Sequence, residues 1–388
     1  MTTLLQQIDS FDLSIRQEAL KKAIAYKRRD KIFFPPPSPE RFNLHIHTFH
    51  SYNRYGWSPS HILLEAAEKR FSYTALIDFD SLEAATETRQ AGDLLNLPVL
   101  NGFETRVFIK EWAEQEINSP GEPGIFYLVG FGYSQTPDST NSIYTLLNRL
   151  RKIANERNRK IVERLNPLLA PCTIEYEKDV LLATPSQNPT ERHIVSAYIK
   201  QSRKTPDISI YDFWADTLKL TKKSLEPLFL QESSFQEKVR SILIKQGGPG
   251  YIPPDLRSFP EFDDVAEEIS SSEGIITGTW LDGSSSAEKD PIAFLRFLKK
   301  KGIQLCCTIP ERNWNISDPK VKKEKLQAFS AFTSAADTLG IPLICGTEMN
   351  KTGQPFFDDF SQPELSPFLK QFQQGAHTAF TLTKKNYG

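Results

Sequence analysis

The sequence predicts a parallel α/β barrel interrupted by an all-helical insertion, and three observations lead to that fold class. Short apolar runs alternate with helix-like segments along most of the 388 residues. The alternation lapses between residues 140 and 250, where the segments are helix-like. Several of the apolar runs also end in histidine or acidic residues, the placement expected at the C-terminal mouth of a barrel.

Residues 1–41 form an N-terminal extension. Leu4, Leu5, Ile8, Leu13, Ile15, Leu20 and Ile24 space out as a loose helical stripe over residues 1–32, and Phe33-Phe34-Pro35-Pro36-Pro37 stops the helix in an extended stretch. Strand-like runs follow at Phe42–Ile46, Tyr73–Ile77, Pro98–Leu100 and Ile125–Gly130, with helices expected at Pro59–Arg70 and Leu82–Leu97. These make residues 42–139 the first part of the barrel. The insertion, residues 140–250, holds helix-like segments at Tyr144–Leu165, His193–Gln201, Tyr211–Leu220 and Ser234–Gln246, and Gly247-Gly248-Pro249-Gly250 closes it. Residues 251–388 complete the barrel with runs at Gly274–Thr279, Ile303–Ile309 and Pro342–Cys345 and helices at Pro291–Lys301 and Pro319–Leu339. The absence of a glycine-rich fingerprint argues against a dinucleotide-binding sheet.

Composition narrows the function classes. A formal net charge of -1 leaves no basic excess for nucleic acid. No run approaches the length of a membrane span, and the N-terminus lacks the basic-then-apolar pattern of a secretion signal. Cys172, Cys306, Cys307 and Cys345 lack CxxC spacing, and Cys306, Cys307 and Cys345 sit in apolar runs and read as core thiols, which suits a reducing, cytoplasmic setting.

The chemistry concentrates at run ends. The first closes Leu44-His45-Ile46-His47-Thr48; residues two apart on a strand face the same way, so both imidazoles converge on one point, as chelation requires. The second closes Ile77-Asp78-Phe79-Asp80, the third Gly102-Phe103-Glu104-Thr105-Arg106, and the last Gly346-Thr347-Glu348-Met349-Asn350. Arg106 follows Glu104 by two and suits an anion clamp, while Asp78 suits a proton acceptor or an imidazole-orienting partner. Arg192, Arg312 and Lys351 are further anion-binding candidates. Arg157-Asn158-Arg159-Lys160 reads as a solvated helix face, His50 and His61 as surface residues with His50 close enough to His47 to swing inward, and Trp280-Leu281-Asp282-Gly283 as a loop suited to contacting substrate hydroxyls.

In order and spacing these motifs resemble the PHP (polymerase and histidinol phosphatase) superfamily, particularly its phosphoesterases, over about residues 42–350. Leu44-His45-Ile46-His47-Thr48 is similar to the family's opening Leu-His-x-His-Thr, and Asp78-Phe79-Asp80 to its Asp-His-Asp. Gly102-Phe103-Glu104 resembles its Gly-x-Glu, Glu191-Arg192-His193-Ile194-Val195 its Arg-Pro-His-Ile-Ala helix start, and Thr347-Glu348-Met349-Asn350 its terminal Ser-Asp-x-His. The resemblance implies a distorted (β/α)7 barrel and a metal-dependent phosphoesterase. Family members hold up to three ions. Carried over by position, His45, His47, Glu104, His193 and Glu348 remain as ligands, whereas Tyr52, Phe79, Trp280 and Asn350 stand where ligands are lost. The implied cofactor is one or two divalent ions (Zn²⁺, Mn²⁺ or Fe²⁺), with Phe79 and Trp280 drying the pocket or stacking on a substrate ring. The expected reaction is hydrolysis of a phosphate ester of a small metabolite, with Asp78, Arg106 and Arg192 as catalytic residues and a small phosphorylated anion as the partner. Two alternatives stay open: an inactive ligand-binding or sensor protein with one residual ion, or a metal-dependent lyase or isomerase acting on a sugar acid.

Overall fold

A computed structural model describes residues 2–29, 34–253, 259–351 and 353–387. Two helices, α1 (Thr2–Ile8) and α2 (Leu13–Arg29), precede the barrel where one stripe was expected. The break falls at Asp12, whose carboxylate accepts from the backbone N–H of Ser14 and Ile15 and so starts a new helix. Of the expected proline-stopped stretch, residue 33 lies outside the described residues.

The barrel then runs β1 (Phe42–Ile46), α3 (Pro59–Glu68), β2 (Tyr73–Phe79), α4 (Ala85–Leu95), β3 (Val99–Phe108) and β4 (Ile125–Tyr133). The inserted helices are α5 (Ser142–Leu165), α6 (Glu191–Lys204), α7 (Ile210–Leu218), α8 (Lys222–Phe229) and α9 (Glu232–Leu243). The chain returns through α10 (Phe262–Ser271), β5 (Ile275–Trp280), α11 (Pro291–Lys300), β6 (Leu305–Thr308), α12 (Glu311–Trp314), α13 (Pro319–Leu339), β7 (Leu343–Cys345) and α14 (Leu369–Tyr387). Helices α8, α10, α12 and α14 have no counterpart among the helices the sequence predicts. Three barrel helices start by one device: Ser58, Asp290 and Asp318 cap with a side-chain oxygen, and proline occupies the first turn of each.

Among the described residues seven strands form one sheet in sequence order. An isolated parallel bridge between Ile46 and Glu348 nearly closes it into a barrel, with His47 N–H donating to the Glu348 carbonyl (2.9 Å) and Glu348 N–H to the His45 carbonyl (2.8 Å). The strands are not all parallel, which corrects the sequence reading. β4 runs antiparallel to both β3 and β5. Between β3 and β4 lies only a short 3-10 turn at Lys110–Trp112, and a chain without a crossover helix can only turn back on itself. The fold is therefore mixed α/β, with β4 entering the mouth of the barrel by its N-terminal end.

Closure also needs Gly346. A Cβ there would collide with the backbone nitrogen and Cβ of His45 and with the Asn43 side chain, so only glycine lets β7 approach β1 this closely. The barrel core gathers Phe103, Phe126, Phe131, Trp280, Phe294, Phe329 and their neighbours. A second apolar cluster is built from residues 161–244 around Trp214, Tyr198 and Phe235, and a third joins α1 and α2 to α3 and α4.

Candidate metal centre

His45 and His47 leave β1 on one side with ring centroids 5.1 Å apart, and Glu104 reaches them from the middle of β3. Glu104 Oε2 lies 3.2 Å from His45 Nε2 and 3.6 Å from His47 Nε2. One donor atom from each of the three residues falls within 4.8 Å of the others, the only such histidine, cysteine and carboxylate group among the described residues. His47 is the diagnostic member: its Nδ1 is buried without a hydrogen-bond partner and its Nε2 stands beyond hydrogen-bonding range of Glu104. Two imidazoles and a carboxylate are a donor set that fits Zn²⁺, Mn²⁺ or Fe²⁺.

Cys307 Sγ contacts His45 Nδ1 at 3.4 Å and reaches the Thr308 carbonyl at 3.9 Å. With the thiol accepting from Nδ1–H, Nε2 keeps its lone pair toward Glu104. Burial opposes charge on His45, but Cys307 and Glu104 outweigh it and raise the imidazole. Burial, and then His45 itself, push His47 down.

Glu348 and His193 were expected to complete the ligand set, and the structure places neither in the three-residue group. The Glu348 carboxylate lies in the same cavity, but Arg312 Nη2 donates to its two oxygens at 2.9 and 3.1 Å and Gln354 Nε2 donates at 3.1 Å. Burial would raise this carboxyl; Arg312 and the two imidazoles override it and hold it at about 2. Glu348 and Met349 both have left-handed backbone (φ 60° and 55°), a conformation that costs on the order of 1 kcal/mol or more per residue. His193 sits in the first turn of α6, where its Nδ1 accepts from Thr190 N–H at 3.0 Å in a capping box and its ring packs on Tyr52 at 5.0 Å. Burial and Arg192 lower it to about 4, so it is neutral near pH 7.

Asp78 is fully buried and accepts from Thr48 N–H (2.8 Å), Thr48 Oγ1 (2.7 Å) and Ser51 Oγ (2.6 Å). It braces the turn after His47 rather than lining the cavity. Arg106 and Arg192 do line the cavity, each already paired: Arg106 with Glu122 at 2.9 Å and Arg192 with Glu237 at 2.7 Å.

The aromatic replacements differ from one another. Phe79 faces the cavity, whereas Trp280 is wholly buried and stacked on Phe332 at 4.3 Å. Trp280 is thus a core residue, correcting its expected place beside a substrate. Its neighbours Leu281, Asp282 and Gly283 donate backbone N–H groups to Glu288 at 2.8, 3.2 and 3.0 Å. Tyr52 donates its hydroxyl to Gln236 at 3.2 Å, and Asn350 lines the cavity with its backbone N–H held by Gln354.

The cavity holds about 410 Å³ between the barrel mouth and the insertion. Residues read as solvated turn out to face it. Arg157 lines the wall and pairs with Glu191 at 3.0 Å, while Asn158 is buried and holds the Pro189 carbonyl. Glu191 also takes Arg240 at 3.0 Å and Lys245 at 2.9 Å. Those three cations, Lys245 foremost, overcome the effect of burial and hold its carboxyl far below the usual range. Tyr127 joins the wall because β4 is antiparallel. None of these had a local signal, since Glu191 meets partners 34, 49 and 54 positions away in the chain. His61, expected at the surface, is buried against Asp9 at 2.7 Å, and His50 is buried with both ring nitrogens unpartnered.

No protein-family model and no curated protein matches the chain. Solved structures do. One, provisionally described as a metal-dependent phosphoesterase from Bifidobacterium adolescentis, shares 16% identity at a TM-score of 0.54, covering 87% of this chain and 98% of its own. Another, an amidohydrolase from Chromobacterium violaceum with bound sulfate and no metal, shares 16% identity at a TM-score of 0.55, covering 86% and 96%. At this identity the similarity establishes the fold: the chain has the nearly closed barrel architecture of these hydrolases.

Proposed function

We propose that the chain is a divalent-metal-dependent hydrolase acting on a phosphate ester of a small polar metabolite. One observation carries the reading: His45, His47 and Glu104 converge at a cavity whose wall carries Arg106, Arg157, Arg192, Arg240, Lys245 and Arg312. A bound ion would supply Lewis acidity and lower the pKa of water, the chemistry that phosphoester hydrolysis needs at neutral pH. The chain's own part is to hold and orient. His45 is fixed by β1 and by Cys307, His47 follows at the end of that strand, and Asp78 braces the turn after them. Arg106 and Arg192, pre-oriented by Glu122 and Glu237, offer planar donors to a phosphoryl group.

The test is elemental analysis of purified protein together with a phosphomonoester and phosphodiester panel assayed with and without added Zn²⁺ or Mn²⁺. Retained metal and metal-dependent turnover that His45→Ala abolishes are expected. A chain free of metal, or full turnover by His45→Ala, refutes the reading. A second reading, a ligand-binding protein without turnover, is favoured by one feature: Arg312 and Gln354 occupy the carboxylate of Glu348. Thermal stabilisation by phosphorylated metabolites with no release of phosphate would select it.

A further inference from the structure

Arg312 stands on α12, directly after β6, and lines the cavity together with His47, Glu104 and Glu348. Its Nη2 spends its donors on both Glu348 oxygens, and Gln354 takes a second contact on Oε2. The guanidinium is not thereby satisfied. Its Nε–H is buried without an acceptor in the chain, and about a third of the side chain (34%) is exposed at the cavity wall, where an anion can reach the cation.

The surrounding donors point the same way. A second metal ion beside the first would need ligands beyond His45, His47 and Glu104. His193 has its Nδ1 committed to the capping box and its ring against Tyr52, Trp280 is packed into the core, and Glu348 is held by Arg312. Among the described residues no other histidine, cysteine or carboxylate group has chelating geometry.

We infer that Arg312 is a built-in cation that takes the charge role of a second metal ion: it withholds Glu348 from metal and turns the exposed part of its guanidinium side chain to an anionic oxygen of the ligand. The chain accordingly binds one divalent ion, and the phosphoryl group sits between that ion's ligands and a guanidinium. This rests on the metal-dependent hydrolase reading for its metal site (His45, His47 and Glu104) and for the phosphoryl group of its ligand, and its test needs no turnover.

Two quantities are read on the full-length chain: Zn²⁺ equivalents after dialysis, and affinity of the Zn²⁺-loaded protein for inorganic phosphate by calorimetry. Wild type is expected to take up one equivalent. Arg312→Ala is expected to weaken phosphate binding at least tenfold. Arg312→Lys keeps the charge and the Glu348 partner but lacks the planar fork of donors; it should fold like wild type and bind phosphate at an intermediate strength, which keeps the test valid if Arg312→Ala fails to fold. Uptake of two equivalents by wild type overturns the inference while leaving the hydrolase reading intact. Phosphate affinity within twofold of wild type in Arg312→Lys, or in a folded Arg312→Ala, also overturns it. Uptake of no metal overturns both readings, whereas one equivalent without any phosphoester turnover counts against the hydrolase reading alone.

Discussion

Cys307 Sγ touches His45 Nδ1 from the side of the ring opposite Glu104, so a thiol stands where metal-binding histidines commonly hold a carboxylate or a carbonyl. It fixes which nitrogen of His45 faces the cavity. Removing such partners costs about tenfold or more in metal affinity. Cys307→Val should therefore weaken Zn²⁺ binding by that amount in competition with a chromophoric chelator, and Cys307→Ser, which keeps a polar partner, by less. Equal affinities for Cys307→Val and wild type would sink the assignment.

Gly346 sets how closely β7 meets β1. Gly346→Ala forces a methyl into the His45 backbone, which cannot move without opening the bridge at Glu348. A destabilisation of about 2–3 kcal/mol is expected from urea unfolding midpoints, with weaker metal binding alongside it. A variant as stable as wild type would show that the closure is looser than described.

Trp280 stands at a position of the resembled motif where a ligand is lost, yet it packs on Phe332 inside the core. Trp280→His should add no metal equivalent, because the new imidazole would point into the core, and Trp280→Ala should destabilise by roughly 3–5 kcal/mol. Extra metal uptake by Trp280→His would place this side chain at the cavity instead.

Glu191 ties α5, α6 and the end of α9 through Arg157, Arg240 and Lys245. Its folded pKa lies well below the ordinary glutamate value of 4.5. The folded state thus binds fewer protons than the unfolded one, so its contribution to stability is full above about pH 4.5 and is lost as the pH falls through the folded pKa. Glu191→Gln removes the carboxylate that three cations share, of which Arg240 keeps Glu237, and should cost about 3 kcal/mol at pH 7. The gap between variant and wild type should narrow in unfolding midpoints taken at pH 3. A gap that stays constant with pH would rule out this linkage.

Much of the barrel was legible because local periodicity carries it. The runs at Phe42–Ile46, Tyr73–Ile77 and Pro342–Cys345 became strands close to where they were expected, and the proline-capped helices start as their residues dictate. The apolar stripe of α10 (Phe262, Val265, Ala266 and Ile269) was present in the sequence and passed over. The reversed direction of β4 was harder to see, since a strand has the same alternation whichever way it runs.

By itself the sequence determined the pairing of His45 with His47, because a two-residue spacing on a strand is enough to aim both rings together, and it singled out Glu104 at the mouth. Only the tertiary structure decided that Arg312 claims Glu348, that His193 turns into a helix cap, that Trp280 faces the core and that Arg157 faces the cavity. Each of those outcomes depends on charges and rings brought together from distant parts of the chain. Where a side chain spends its hydrogen bonds is settled by its neighbours in space, which residue spacing does not encode.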